Sequence, residues 1–313
     1  MISSPYLPKK VKIVEVGPRD GLQNEKTFVA NEVKISLINQ LSSAGFSNIE
    51  AAAFVSPKWI PQMASSEIVM AGIDRMPGTI YSVLVPNLQG FEKALASRAN
   101  EIVIFGAASQ TFSQKNINCS IAESIERFAP VTKAALDHNI RVRGSISCAM
   151  GCPFEGDIDP AKVGEVVRLM ADLGCVEIDI ADTIGIGTPN KIKAVFEHIG
   201  QILPMSTYSG HFHDTYGQSL ANIYAAMEMG VSIFHSSVAG LGGCPYAQGA
   251  TGNVATEDVL YLLAGLGIET GIDFELVARS GDYISNILNR PNGSRAGRAF
   301  LAKAALSAGN GLT

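Results

Sequence analysis

Hydrophobic and polar positions along the chain follow two alternating patterns. Short runs rich in β-branched residues recur, and each is followed by a longer segment whose apolar residues repeat every three to four positions. The first pattern is typical of buried strands and the second of amphipathic helices. Together they predict eight strands, at residues 12–16, 48–54, 80–85, 101–107, 141–147, 176–182, 208–214 and 232–238.

Helices are predicted between these strands. The clearest segments are residues 31–45, 120–139, 160–174, 188–203 and 217–230. Several end at a glycine, which easily adopts the left-handed conformation that ends a helix, as at Gly45, Gly174 and Gly230. Eight alternating units without a Pro/Gly-rich linker predict an α/β protein, a single (β/α)8 TIM barrel rather than two doubly wound domains. We expect one catalytic domain over residues 1–313, with residues from about 271 forming extra C-terminal helices.

Composition restricts the class of protein. Hydrophobic residues make up 47% of the chain and aromatic residues 7%, so the core is expected to be mainly aliphatic, as in a soluble enzyme. No run approaches the roughly 18 apolar residues of a membrane span. The N-terminus has neither a signal core nor an arginine-rich targeting pattern, and we therefore expect a cytoplasmic protein. The net charge of −5, with dispersed basic residues, does not favour nucleic-acid binding.

The cysteines do not indicate a disulfide framework. The chain has five, at positions 119, 148, 152, 175 and 244. The number is odd and the spacing matches no zinc ribbon, so reduced thiols are expected. Cys148 and Cys152 are interpreted as small buried residues at a strand end rather than as metal ligands.

Polar residues cluster at the ends of the predicted strands, where barrel enzymes carry their chemistry. The candidates are Arg19, Asp20, Glu50, Asp182, His211, His213, Cys244 and Asn253. His211 and His213 share one face if their segment is a strand, because side chains alternate along it. Taken alone, these two histidines are equally consistent with a metal pair and with core residues. The aspartate and the amide on neighbouring strand ends favour the metal.

The four predicted metal ligands are Asp20, His211, His213 and Asn253. They offer oxygen and nitrogen atoms without a thiolate, which favours Mg²⁺ or Mn²⁺ over structural zinc. On an octahedral ion, four protein ligands leave positions for substrate or water oxygens.

Five segments resemble the hydroxymethylglutaryl-CoA lyase family: VEVGPRDGLQNEK, FVSPKWIPQM, ADTIGIGTP, GHFHDTYG and SSVAGLGGCPYAQGATGN. The resemblance runs from about residue 11 to about residue 300. The Arg-Asp pair and the two histidines are shared with a wider group of metal-dependent barrel lyases and synthases, whereas GLGGCPYA is more specific to the lyases.

The resemblance implies a metal-dependent lyase with a small-molecule acyl-CoA substrate. The reaction would cleave 3-hydroxy-3-methylglutaryl-CoA to acetyl-CoA and acetoacetate, in the breakdown of leucine or related branched-chain compounds. Because barrels of this size often pair through exposed helices, a homo-oligomer, a dimer or higher, is expected. The alternatives are a condensing synthase with the same metal site and an inactive paralogue that binds acyl-CoA.

Two roles follow from the resemblance. Arg19 would stabilise the enolate at the thioester oxygen, and its alternative is a structural ion pair with Glu50. Cys244 would donate a proton to that enolate from a loop rich in glycine, and its alternative is a packing role. The base that removes the hydroxyl proton stays open between Asp20, His211 and a metal-bound water. His211 is the better acid/base candidate because its ordinary pKa is near neutral.

Other residues of the site have supporting roles. Glu50 is expected to position Arg19 or the substrate. Asp182 would orient a ligand or a water and is assigned to the cofactor-binding group. Gln23 and Lys26, in the loop after the Arg-Asp pair, are expected to bind the coenzyme A part, with a solvated surface role as the alternative for Lys26.

Two segments depart from the family pattern. His235 stands where the family usually has aspartate, and Ala52 and Ala53 stand in IEAAAF where it usually reads IEVTSF. The alanines would enlarge and dry the site, which favours a bulkier substrate such as 3-hydroxy-3-isohexenylglutaryl-CoA. His235 would either change the properties of His211, His213 or a nearby cation, or face a helix without effect.

Overall fold

A closed parallel barrel of eight strands forms the centre of the molecule. The computed structural model describes residues 7–243 and 252–310. The barrel strands are β1 (Lys12–Glu15), β2 (Asn48–Ala53), β3 (Ile80–Leu84), β4 (Glu101–Ala107), β5 (Arg141–Ser147), β6 (Glu177–Asp182), β7 (Tyr208–Phe212) and β8 (Ile233–Ser236). Each strand pairs in parallel with the next, and β1 closes the barrel against β8 in the register Lys12 to Ile233. The predicted barrel and its eight strands are confirmed.

Helices surround the barrel. They are α1 (Asn31–Ser43), α2 (Ser66–Gly72), α3 (Leu88–Ala96), α4 (Gln110–Ile117), α5 (Ile121–Asp137), α6 (Pro160–Asp172), α7 (Pro189–Ile199), α8 (Ser219–Glu228), α9 (Thr256–Gly265), α10 (Phe274–Ile287) and α11 (Arg295–Asn310). The last two are the predicted extra C-terminal helices. α10 packs against α1 and against the turn at residues 238–240. No helix of the described residues is long and apolar enough to cross a membrane.

Local sequence signals explain where helices begin. Ser120 caps α5 by accepting the Glu123 N–H at 3.1 Å, and the Glu123 carboxylate accepts the Ser120 N–H at 2.7 Å. This reciprocal pair satisfies two N–H groups that have no partner within the helix. α6 combines Asp159 as its cap with Pro160 at its first position, where a missing N–H costs nothing.

The two faces of the strands have opposite character. In β4 and β5, Gly106 and Gly144 face outward, since a Cβ at either would contact Met170 of α6. Buried aliphatic residues share this outward face and pack between the barrel and the helices: Ile102, Ile104, Val142, Ile146, Ile178 and Ile180. The inward face instead carries charged residues, including Arg143 and Asp179. Aliphatic layers commonly fill such barrels, so the interior here departs from the usual pattern.

Two buried carboxylates hold the turn after β8. Glu15 accepts the N–H groups of Gly17 at 2.8 Å and Val238 at 2.9 Å. Both carboxylate oxygens of Glu257 accept the N–H of Ala239, at 3.1 and 3.0 Å, and Ala239 has a left-handed φ of 57°. Burial raises the pKa of Glu15 to about 7 and that of Glu257 to about 8.

These raised pKa values predict a loss of stability with rising pH. A folded-state pKa above the ordinary value of 4.5 means that protonation of Glu257 favours the folded state. That contribution is complete below pH 4.5 and is lost as the pH rises through about 8. We expect Glu257→Gln to flatten the decline of the unfolding free energy between pH 5 and 8.5 by on the order of 1–3 kcal/mol, measured by urea denaturation. Glu275→Gln, at an exposed position, is the control, and an unchanged decline in Glu257→Gln would contradict the expectation.

Candidate active site and metal centre

A tight turn after β1 carries the first two site residues. Residues Gly17–Gly21 form a single π-helical turn, a form that is frequent at functional sites. A Cβ at Gly17 would lie 2.6 Å from Glu15 Oε1, and one at Gly21 would lie 2.7 Å from Ser237 Oγ. Only glycine fits at both positions, so the turn is fixed and directs Arg19 and Asp20 into the mouth of the barrel.

Glu50 joins two arginines below this turn. Its Oε1 accepts from Arg19 Nε, and its Oε2 accepts from Arg143 Nη2 at 2.6 Å. Burial alone would raise the pKa of Glu50, but Arg19 and Arg143 outweigh it and the pKa is lowered. Arg19 also contacts Asp20, with 2.9 Å between Nη1 and Oδ1. Glu50 is therefore an anion that holds the Arg19 side chain in place.

The predicted metal ligands converge at the same mouth. His211 Nε2 lies 3.9 Å from Asp20 Oδ2, and the ring centroids of His211 and His213 are 5.4 Å apart. One ligand atom each from Asp20, His211 and His213 lie within 4.8 Å of one another. His213 and Asn253 form an antiparallel backbone bridge, and Asn253 Nδ2 donates to Asp20 Oδ2 at 2.7 Å.

The atoms of this group suit a divalent cation. Among the described residues, His213 Nδ1 is buried without a hydrogen-bond partner. Burial and then the neighbouring His211 lower the pKa of His213 to about 4. Burial opposes ionisation of Asp20, but Arg19 and both histidines lower its pKa well below the ordinary value. At neutral pH these groups are a neutral imidazole and a carboxylate, the forms that bind metals.

A second group of potential ligands lies deeper in the barrel. Asp179, His211 and His235 also bring one ligand atom each within 4.8 Å of one another. Arg143 Nη1, however, lies 3.0 Å from His235 Nε2. This permanent positive charge opposes a cation at the deeper position, so the group at the mouth is the better metal centre.

Sequence reasoning missed the polar interior of the barrel. Arg143 is fully buried, with its Nε 3.3 Å from Glu101 Oε1, and Asp179 Oδ2 lies 3.6 Å from His211 Nδ1. The segments RVRGS and VEID carried the signal, because both place charged residues at every second position of a strand. Such a pattern indicates a charged strand face inside the barrel.

A cavity of about 1030 Å³ opens at this site. Arg19, Asp20, Gln23, His211 and His213 line its inner part. The lining also includes the apolar side chains Leu84, Phe105, Phe112 and Phe128, together with Trp59, Lys115 and Arg127. Trp59 is 85% exposed. The cavity thus combines a polar floor with apolar walls and basic groups, which suits a long anionic ligand.

Two of the three residues assigned to cofactor binding do not line this cavity. Gln23 does, but Lys26 is exposed and outside the lining, as in the surface alternative. Asp182 is fully buried, and its carboxylate accepts the N–H groups of Ile186 at 3.1 Å and Gly187 at 2.8 Å, so its assigned role stays a prediction. Burial raises the pKa of Asp182 to about 6. Asp182 therefore orders the ADTIGIG loop.

The structure also locates the three residues that differ from the family pattern. Ala52 and Ala53 are buried in the core and do not line the described cavity, and their effect on the size of the site stays a prediction. His235 is buried in the barrel interior between Arg143 and His211, which excludes the helix-facing alternative. Cys244 lies outside the described residues, and its role stays a prediction. Its neighbour Gly243 lines the cavity.

Comparisons with known sequences give consistent matches. The family model described as HMGL-like matches residues 10–284. A Pseudomonas aeruginosa protein named 3-hydroxy-3-isohexenylglutaryl-CoA/hydroxy-methylglutaryl-CoA lyase is 56% identical over 298 residues, which is 95% of this chain and 99% of that protein. Human mitochondrial hydroxymethylglutaryl-CoA lyase is 57% identical over 293 residues, which is 94% of this chain and 90% of that protein.

Solved structures agree with these matches. The crystal structure of hydroxymethylglutaryl-CoA lyase from P. aeruginosa superposes with a TM-score of 0.94 at 56% identity, covering 95% of this chain and 99% of that one. The HMG-CoA lyase from Acinetobacter baumannii, in complex with coenzyme A and 3-methylmalate, gives a TM-score of 0.90 at 37% identity, with 95% and 97% covered.

Removal of the buried guanidinium is expected to destabilise the protein. In Arg143→Gln, Glu50 and Glu101 would each lose a paired positive charge in the barrel interior. We expect the free energy of unfolding to fall by about 3–5 kcal/mol, measured by urea denaturation. Arg279→Gln, which removes an exposed pair with Glu275, is expected to cost less than about 1 kcal/mol. Equal stability of the two variants would mean that the interior charges are not coupled as described.

Proposed function

The chain belongs to the hydroxymethylglutaryl-CoA lyase family and is a carbon–carbon lyase, and we propose that it cleaves 3-hydroxy-3-methylglutaryl-CoA with the help of a divalent cation. The observation that carries this proposal is the convergence of Arg19 with Asp20, His211 and His213 on one cavity. The candidate cation ligands and the Arg19 guanidinium line the same cavity.

The reaction determines what the site must supply. The bond between the carbon that bears the tertiary hydroxyl and the methylene beside the thioester breaks. The hydroxyl loses its proton and becomes the ketone of acetoacetate. The electron pair of the broken bond moves to the thioester as an enolate, which takes a proton to give acetyl-CoA. Negative charge therefore develops at the hydroxyl oxygen first and at the thioester oxygen second.

The cation would act at the hydroxyl. Held by Asp20, His211, His213 and the amide oxygen of Asn253, Mg²⁺ or Mn²⁺ would supply Lewis acidity toward the substrate hydroxyl. Asn253 donates its amide N–H groups to Asp20 and to the Leu241 carbonyl, which fixes the orientation of its side chain.

Arg19 would act at the thioester. Because Glu50 and Asp20 hold its guanidinium, little reorganisation is needed when the enolate forms, and this is the condition for strong electrostatic stabilisation. The ion pair with Glu50 and the catalytic role are thus compatible. Cys244 is proposed to protonate the enolate carbon, on the strength of the family pattern.

Two described side chains can take the hydroxyl proton. Asp20 is a weak base, because its pKa is lowered. For His211, burial lowers the pKa, but Asp179 and Asp20 outweigh burial and raise it above the ordinary value. His211 is therefore the stronger base of the two while its ring is free, but a ring that binds the cation through Nε2 has no lone pair left for the hydroxyl proton.

The cavity supports an acyl-CoA as the substrate class. Its volume of about 1030 Å³ lies at the upper end of the range for small-molecule sites. Lys115 and Arg127 offer positive charge to coenzyme A phosphates, and Gln23 lies beside Asp20 in the lining. The A. baumannii relative was solved with coenzyme A.

A longer 3-hydroxy-3-alkylglutaryl-CoA is the second candidate substrate. The P. aeruginosa relative carries isohexenylglutaryl-CoA in its name. Leu84, Phe105 and Phe128 supply an apolar wall for such a chain. For the biological setting we propose leucine or related branched-chain breakdown by a cytoplasmic homo-oligomer.

Acetoacetate release from 3-hydroxy-3-methylglutaryl-CoA tests the function directly. Chelator-treated protein is expected to be inactive, and added Mg²⁺ or Mn²⁺ is expected to restore release. Acyl-CoA binding without release under either metal would favour an inactive paralogue or the longer substrate, and the isohexenyl substrate separates these two. Free CoA produced from acetyl-CoA and an oxo acid would favour the synthase.

Substitution of Arg19 tests its part in the reaction. Arg19→Lys keeps the charge but loses the planar group that Glu50 and Asp20 hold. We expect kcat to fall about 10²- to 10³-fold, with Mn²⁺ affinity nearly unchanged. Arg279→Lys, at an exposed position, is the matched control. Wild-type kcat in Arg19→Lys would reduce Arg19 to a structural role.

A further inference from the structure

Asp179 and His235 lie behind His211, on the side opposite the cation position. Asp179 Oδ2 is 3.6 Å from His211 Nδ1 and 3.5 Å from His235 Nδ1. The two Nδ1 atoms are 3.3 Å apart. The other ring nitrogen of His211, Nε2, faces Asp20 instead. His211 is thus contacted on opposite edges by two different sets of residues.

The chemistry of these neighbours decides which nitrogen of His211 carries the proton. A carboxylate only accepts hydrogen bonds, and Asp179 Oδ2 already accepts from Ser145 Oγ at 2.8 Å. A proton on His211 Nδ1 faces this acceptor. The lone pair is then on Nε2, directed toward Asp20 and the cation position, where it is available to bind a cation.

His235 fits the same pattern. Arg143 Nη1 is 3.0 Å from His235 Nε2 and 3.3 Å from its Nδ1, and a guanidinium only donates. The shorter contact makes Nε2 the acceptor, which leaves the proton on Nδ1, facing Asp179. Glu177 Oε1, an acceptor, lies farther from the same Nε2, at 3.5 Å. The closer Arg143 contact determines the tautomer, and both histidines direct a proton toward Asp179.

We propose that Asp179 and His235 form a positioning pair that holds His211 with Nδ1 protonated and Nε2 directed to the cation position. Neither residue lines the cavity, so both act through His211 and not on substrate. The inference deepens the proposed function and rests on it, because the orientation of His211 matters only if its Nε2 binds the cation.

The two members of the pair depend on each other. The family pattern has aspartate in place of His235. An aspartate at this position in the present chain would place a third carboxylate against Asp179 and Glu177, which lie 3.5 Å from the ring of His235. Like charges at such distances in a buried site are strongly unfavourable. Asp179 therefore favours a hydrogen-bond donor at position 235, and His235 supplies one.

Nitrogen-15 NMR of the metal-free protein, at an alkaline pH at which His211 is neutral, is the first test. In the wild type we expect His211, assigned by its absence in His211→Gln, to show a protonated Nδ1 and an unprotonated Nε2. In Asp179→Asn the Nε2-protonated form should gain population. The Mn²⁺ affinity, measured by calorimetry, should fall about 10- to 100-fold, as for other partners of metal-binding histidines.

Paired substitutions at position 235 sharpen the test. The amide nitrogen of asparagine can replace the Nδ1 donor of histidine, whereas that of glutamine reaches the Nε2 position. His235→Asn should therefore retain more Mn²⁺ affinity than His235→Gln. His235→Asp should lose affinity strongly, and the double variant Asp179→Asn/His235→Asp should regain part of it.

Controls separate this inference from simple destabilisation and from the proposed function. Asp273→Asn, at an exposed helix cap, should change neither the tautomer nor the Mn²⁺ affinity. Melting temperatures identify variants that fail to fold, and the remaining variants then decide. An unchanged His211 tautomer, or unchanged Mn²⁺ affinity, in folded Asp179→Asn would overturn the inference. Failure of the lyase proposal would appear separately, as wild-type protein without acetoacetate release.

Discussion

The buried charge of Arg143 is the constraint on which the site depends. A guanidinium inside a barrel is stable only if carboxylates and hydrogen-bond acceptors surround it. Glu50 is one of these, and because its other oxygen binds Arg19, the same carboxylate fixes the guanidinium at the mouth. His235 is another such acceptor, and its opposite ring nitrogen lies beside Asp179, which in turn lies beside His211. One buried guanidinium is thus linked through Glu50 to Arg19 and through His235 to Asp179 and His211.

The outward face of the strands contributes packing, whereas the inward face carries the charged groups of the site. Isoleucine and valine on the outward face pack against the helices and exclude water there. The inward face exchanges the usual aliphatic layers for ion pairs, which seldom add net stability. Their benefit is a set of dipoles and charges already arranged before substrate enters, which is the main source of electrostatic catalysis. The outer core makes this arrangement possible.

The eight strands were predictable because β-branched runs and a period of two are local signals. The convergence of Asp20, His211, His213 and Asn253 was predictable because strand ends meet at one mouth in any such barrel. Asp182 shows the limit of that rule. Side chains alternate along β6, so Asp182 is on the outward face with Ile178 and Ile180, whereas Asp179 is on the inward face. Arg143 and Asp179 lie inside strands, and their importance depends on pairings across the barrel that follow from register, not from neighbours in sequence.

Glu15 carries a consequence for how the protein folds. It ties the π-helical turn after β1 to the turn after β8 and to Thr256, the first residue of α9. The site therefore straddles the seam where the two ends of the sheet meet, and Asp20 contacts Asn253 across 233 positions of sequence. Closing contacts of such separation costs loop entropy, which slows folding. The site cannot exist before this seam closes, so a chain that has not joined β1 to β8 has no complete site.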